Sequence, residues 1–225
     1  MKLRQRLRRF RSRSWKGWPA EAYSEVRYQQ RLEAVREHLR KNLNEAPAGP
    51  LRLISICAGD GRDVIGVLQT HKRRTDVSAW LVELDRESVA AGVRETSIVG
   101  LDDIVRFING DATDYTTYEG IAPANVVLAC GVWGHVPAHE RASLAGAIAE
   151  LCKLRGTITW TRGVSAGMVR LNEIERLFVR PRWENVRTTI TADKRWAVAT
   201  YRNFGPPVAL PVAGRIFNFQ RHAGR

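Results

Sequence analysis

A chain of 225 residues with 44% hydrophobic content can bury one sizeable core, and a single α/β domain is the simplest expectation. No apolar run approaches the roughly 20 residues that cross a bilayer, and no apolar stretch near the N-terminus suggests a secretory signal. Three cysteines without a C-x-x-C pair argue for reduced thiols and a cytoplasmic setting, and against a zinc ribbon.

The formal net charge is +13, and it is unevenly spread. Lys2, Arg4, Arg6, Arg8, Arg9, Arg11, Arg13 and Lys16 crowd the N-terminus with no acid among them. Residues 1–18 therefore read as a basic arm. Leu3, Leu7 and Phe10 recur in it at helical spacing, which suits an anionic membrane surface, nucleic acid, an organelle presequence, or packing on the chain's own domain. Arg greatly outnumbers Lys throughout, a composition that suits phosphate and carboxylate partners but also follows from a coding bias.

Residues 19–50 form a second segment. Tyr28, Leu32, Val35 and Leu39 fall at i, i+4, i+7 and i+11, predicting a helix over 20–43. The prolines and glycine of 44–50 end it and link it to the main domain. Trp15, Trp18, Tyr23 and Tyr28 are candidates either to cover a cleft as part of a lid or to pack on a sheet edge.

The main domain, 51–225, alternates strand and helix: strand 51–57, helix 61–72, strand 77–84, helix 86–96, strand 104–109, strand 125–131, helix 138–152 and strand 156–162. Repeated βα units with right-handed crossovers predict a doubly wound, mostly parallel sheet with helices on both faces. A helix near 170–179 and two final strands, WENVRTTI and RWAVATYRNF, close it with an antiparallel hairpin. The fold class is thus α/β with seven strands.

In such a sheet, ligands sit at the carboxyl ends of the strands, near the first βα turn. That turn is Cys57-Ala58-Gly59-Asp60-Gly61. It is no P-loop, because no lysine stands where G-x-x-x-x-G-K-[ST] requires one. Read from Gly59, the dinucleotide pattern G-x-G-x-x-G/A fails at Val64. Asp60 and Asp63 also oppose a pyrophosphate, although Arg62 can offset one of them. A positively charged ligand, such as the sulfonium and ammonium of S-adenosylmethionine (SAM), suits the turn better. Glu83 ends the second strand, where an acid accepts from ribose hydroxyls, with Asp85 the neighbouring alternative. Asp111, after the third strand, can accept from an adenine amino group.

The ordered set AGDG, LVELD, NGDATD, VVLACGVWGHVP and GTITW resembles that of class I SAM-dependent methyltransferases from Leu51 to Arg162, and the terminal hairpin is similar to that family's closing strands. The resemblance implies SAM as cofactor, leaving S-adenosylhomocysteine. It implies that Cys57, Ala58, Gly59, Asp60 and Gly61 line the methionine part, Glu83 and Leu84 the ribose side, Asp111 and Ala112 the adenine, and Cys130 and Gly131 the donor methyl. Two residues depart from the pattern. Ser55 stands where the family usually has an acid, and Cys57 where it has a glycine, so Cys57 is expected to keep an ordinary φ.

The loop after the fourth strand should face the donor methyl. His135 is the candidate general base, against an ordinary structural histidine. Trp133 and Arg162 are candidate acceptor contacts, and Trp160 shares the end of the fifth strand. His135 and His139 are four apart, but Pro137 lies between them and no third ligand is evident, so no metal is expected. The leading reading is methyl transfer to a small-molecule O, N or C acceptor. The alternatives are an RNA methyltransferase clamping phosphates with residues 1–18, and a non-catalytic binding protein on the same fold.

Overall fold

The structure is a computed structural model that describes residues 26–164 and 169–219. The strands are β1 (Leu51–Ile56), β2 (Val77–Glu83), β3 (Val105–Asn109), β4 (Ala124–Ala129), β5 (Cys152–Gly163), β6 (Trp183–Ile190) and β7 (Trp196–Asn203). The helices are α1 (Val26–Glu45), α2 (Arg62–Leu68), α3 (Arg86–Ile98), α4 (Arg141–Leu151) and α5 (Val169–Glu175). One seven-stranded sheet runs β3-β2-β1-β4-β5-β7-β6. Strands β1 to β5 pair in parallel, and β7 slots antiparallel between β5 and β6. The expected α/β sheet with its closing antiparallel pair is the architecture observed.

Alternating strand residues feed two cores. Ile54 and Ile56 face one with Val127, Ala129, Ile158 and Trp160, beneath α4 and α5. Leu51 and Leu53 face the other with Leu39 and Leu43 of α1 and Val64 and Leu68 of α2. Both faces are covered, which explains why β1 and β4 read as nearly continuous apolar runs.

Two boundaries differ from the sequence expectation, and one connection carries a turn that the sequence reading left unassigned. The helix after β1 ends at Leu68, and a 3-10 turn at Arg74–Asp76 leads into β2. Between β3 and β4 the connection carries only a 3-10 turn, Tyr115–Tyr118, whose start Asp114 secures by accepting from the Thr116 N–H at 3.0 Å. Strand β5 begins at Cys152, directly after α4, and not at Gly156.

Helix α1 is built into the fold. Where it crosses β5 and β7 the strands present threonines, and the contact is polar. The His38 ring nitrogens lie 2.9 Å from the hydroxyls of Thr200 and Thr189. Asn42 donates to Thr159 at 2.9 Å, Thr159 and Thr200 share a 2.8 Å bond, and Arg187 reaches both Asn42 and Glu45. At the helix end the Arg73 guanidinium donates to the carbonyls of Leu43, Ala46, Pro47 and Gly49, tying the linker down. No described helix is long and apolar enough to cross a membrane. The basic arm, Trp15, Trp18 and Tyr23 lie outside the described residues.

Candidate active site

The strand order reverses between β1 and β4, which opens a crevice beyond their carboxyl ends. The glycine turn forms its floor. Ala58 N–H bonds to Val82 O and Gly61 N–H to Ala58 O, each at 3.0 Å. Gly61 sits at φ 70°, and a Cβ there would run into Leu81 and come within 2.8 Å of Phe107, so both conformation and space demand glycine. Helix α3 presses on the same turn through Gly92, whose Cβ would stand 2.7 Å from Asp60 O.

Cys57 corrects the expectation of an ordinary backbone. Its φ is 52°, the left-handed conformation that glycine adopts without strain. A conformation ordinarily left to glycine is thus adopted with a side chain attached, at a cost of about 1–2 kcal/mol. A residue held this way is the kind of strain that collects at binding sites.

The carboxylates of the turn are arranged unequally. Arg62 forks onto Asp60, with Nε 2.8 Å from Oδ1 and 3.0 Å from Oδ2, so Asp60 is offset locally. Asp63 accepts the Val64 N–H at 2.8 Å. Burial pushes the Asp63 carboxyl up, while the Val64 bond and the Arg31 guanidinium oppose that shift. Glu83 is fixed by two backbone donors, Gly59 N–H to Oε2 and Asp85 N–H to Oε1, each at 2.8 Å. Leu84, beside it, is exposed. Asp111 Oδ1 accepts from the Thr113 N–H at 2.9 Å and hydroxyl at 2.7 Å, and Oδ2 lies 3.8 Å from Arg215. Ala112 is buried, and its carbonyl takes the Tyr118 hydroxyl at 2.9 Å. Burial raises the Cys57 thiol pKa, and the charges of Glu83 and Asp111 raise it further.

Across the crevice, Cys130 approaches Thr159 O at 3.9 Å, and Gly131, at φ 80°, donates its N–H to Thr161 at 2.9 Å. Burial and Asp63 push the Cys130 thiol up, against Arg31. The following loop does not present Trp133. That ring is fully buried, edge-on to Trp160 at 6.3 Å and to Phe178 at 5.8 Å. The expectation that Trp133 walls an acceptor pocket gives way to a core role, because the loop folds its apolar residues inward. Trp160 is likewise core. His135 is half-buried on the same loop, its N–H bonded to Val132 O at 2.9 Å. Arg162 Nη1 lies 3.1 Å from where a Cβ on Gly134 would stand, so the end of β5 borders this loop. His139 is exposed next to Glu140, and no His, Cys, Asp and Glu grouping among the described residues could hold a metal ion.

One residue of this region escaped sequence reasoning. Arg31 of α1 spreads its guanidinium over Trp196 (5.0 Å to the ring centroid) and Tyr28 (5.7 Å), and its Nη1 lies 3.5 Å from the Cβ position of Gly131. The Tyr28 and Arg31 spacing on one helix face was visible in the sequence. Where that face lands was not.

A family model described as "Putative methyltransferase" matches residues 17–164. The chain belongs to this methyltransferase family. No curated protein matches the methyltransferase. Solved structures similar to it include magnesium protoporphyrin IX methyltransferase from Synechocystis PCC 6803 with bound SAM, 11% identical at a TM-score of 0.62, covering 78% of this chain and 81% of that one. An RNA methyltransferase from Salinibacter ruber in complex with S-adenosyl-L-homocysteine is 20% identical at a TM-score of 0.50, covering 78% and 96%. An O-methyltransferase family protein from Burkholderia thailandensis is 17% identical at 0.61, covering 78% of this methyltransferase but only 55% of its own length. At these identities the likeness speaks for the fold, which is that of class I methyltransferases.

Proposed function

We propose that the protein is a SAM-dependent methyltransferase acting on oxygen, nitrogen or carbon of a small-molecule acceptor. The observation that carries this reading is the placement of the Cys57–Gly61 turn, Glu83 and Asp111 at the ends of three adjacent strands. The residues fit the cofactor. Glu83 is held by two N–H groups, and each of its oxygens keeps a lone pair for a ribose hydroxyl. Asp111 Oδ2 makes no close hydrogen bond among the described residues and suits the amino group of adenine. Leu84 offers an exposed apolar surface to a ring. The local excess of carboxylate disfavours a polyphosphate and favours a cation. Bound SAM supplies an electrophilic methyl group on a sulfonium.

What the protein adds is alignment, since an in-line displacement gains most from proximity. Gly131, without a side chain and with its N–H committed to Thr161, keeps the end of β4 open and rigid. Arg162 borders the loop on the acceptor side. We assign to His135, half-buried on this loop, the proton of an acceptor hydroxyl or amine. Incubation with methyl-labelled SAM and separate pools of small metabolites and RNA should place label in the metabolite pool. SAM binding should vanish in Glu83→Ala and Asp111→Ala variants; unchanged binding in both would refute this site.

The cations of residues 1–18 favour a second reading, an RNA methyltransferase with a phosphate clamp. It requires label in the RNA pool, lost with rising salt and on deleting residues 1–18. Small-molecule turnover indifferent to that deletion would exclude it.

A further inference from the structure

We propose that the end of the sheet opposite the crevice docks on an anionic lipid surface, with Leu154 and Phe204 entering the headgroup layer and Arg52, Lys153 and Arg155 meeting its negative charge. No residue of the glycine turn, nor Glu83 or Asp111, takes part, so this surface stands apart from the SAM reading.

A tight bulge builds the tip of this surface. Ala124 pairs with Cys152 and Val126 with Thr157, so β5 advances five residues while β4 advances two. The surplus turns outward at Lys153-Leu154-Arg155-Gly156, where a Cβ on Gly156 would stand 2.9 Å from Lys153 O. Arg155 takes a φ of 62°, and Leu154 before it is 49% exposed. Both residues oppose stability. Glycine would hold the left-handed conformation without strain, and a polar side chain would suit a turn facing water. An arginine and a leucine kept there against local preference mark a surface made for contact.

Neighbouring strands extend the tip into one patch. The Asn203 side chain donates to the carbonyls of Cys152 at 2.9 Å and Lys153 at 3.3 Å. That bond brings the end of β7, and Phe204 after it, 39% exposed, beside the bulge. Asn125 Oδ1 accepts from the Arg52 N–H at 2.9 Å and from Lys153 Nζ at 3.4 Å, which sets the start of β1 on the other side. Arg52 and Arg155 are exposed and Lys153 is half-buried. No carboxylate pairs with any of the three among the described residues. Even Glu119, beside the Gly120 carbonyl that Arg52 reaches at 3.5 Å, forms no ion pair with them. Two apolar side chains flanked by three cations complement a surface that is anionic at its headgroups and apolar just beneath. A nucleic acid offers phosphates but no apolar depth for an aliphatic tip, so lipid is the better match. Strand β1 has six residues, so roughly 20 Å separates the patch from the glycine turn. The crevice thus stays open to water in the docked protein.

The test sediments the full chain with vesicles of phosphatidylcholine alone and of phosphatidylcholine and phosphatidylserine in equal parts. Only the anionic vesicles should bind it. Arg155→Gln should weaken that binding about fivefold, the scale of one cation at a charged surface, and the loss should shrink as salt rises. Leu154→Gln should weaken it about fivefold or more at low and high salt alike, because the lost contact is apolar. Arg94→Gln, which removes an equal charge from an exposed position on α3, should bind like the unmodified chain. Residues 1–18 are present in every variant, so their attraction for anionic lipid cancels. Leu154 and Arg155 are both exposed, and an unchanged urea midpoint shows that their variants keep the fold. Vesicle binding that survives both patch substitutions would overturn the proposal. So would an equal loss in Arg94→Gln, which leaves net charge as the whole cause. Binding to single-stranded RNA in place of vesicles, weakened by the same two substitutions, would overturn it in favour of a nucleic-acid surface. A dimer that Leu154→Gln dissolves would overturn it in favour of a contact between copies of this chain.

Discussion

Acidification should undock α1 through a single histidine. His38 is 2% exposed, with both ring nitrogens engaged by threonine hydroxyls. Burial, reinforced by Arg187 and Lys41, pushes its pKa down from 6.5 to about 4, with Glu37 the only opposing influence. The native state therefore holds His38 neutral. In the unfolded chain the ring binds a proton below about pH 6.5, so unfolding takes up a proton and the fold loses stability as pH falls from there toward 4. At about pH 5 the loss from this one group is about 2 kcal/mol, a large part of the stability of a domain this size. Urea unfolding of the unmodified protein and of a His38→Gln variant, at pH 7 and pH 5, isolates the effect. The variant should be less stable at pH 7, by about 1 kcal/mol for an imperfectly replaced buried bond. Its further loss on acidification should be smaller than that of the unmodified protein by about 2 kcal/mol. His71, also pushed down by burial, titrates in both proteins and cancels in the comparison. Identical acid sensitivity in the two proteins would refute the reasoning.

Other substitutions probe the supports of the site. Arg73→Ala removes four donors from linker carbonyls and should cost roughly 2–4 kcal/mol, read as a lower urea midpoint; Arg73→Lys should not restore it, because one ammonium cannot span the four acceptors. Cys57→Gly should raise stability to urea by a few tenths to about 1 kcal/mol, since relief of the left-handed strain outweighs the added freedom of the unfolded chain. A drop in stability would mean that the thiol packs more favourably than its backbone suggests. Gly92→Ala forces a methyl against Phe107 and the Asp60 carbonyl, and should cost about 1–3 kcal/mol by overpacking. It should weaken SAM binding as well, because the displaced carbonyl belongs to the glycine turn.

Strands β1 to β4, the hairpin and the positions of the turn, Glu83 and Asp111 were legible because their signals are local. An apolar run, its bounding glycines and the residue just past a strand end lie within a few positions of one another, and a parallel sheet brings consecutive strand ends together whatever the rest of the chain does. Trp133 was misplaced because its loop signals only that an aromatic lies near the site, and inward folding against Phe178, 45 residues away, decides which way the ring points. The polar underside of α1 could not be read either: His38, Asn42 and the threonines of β5 to β7 look like ordinary surface residues until strands more than 100 residues distant bring their hydroxyls together. The same holds for Arg31, which meets Gly131 and Trp196 only because α1 crosses α2 at the angle set by Arg36 over Gly66. The sequence by itself determined the sheet, its strand ends and which residues stand on them, since those follow from periodicity and position along the chain. Tertiary structure alone decided which distant charges face that chemistry, because packing between elements depends on shape and burial that no local window contains.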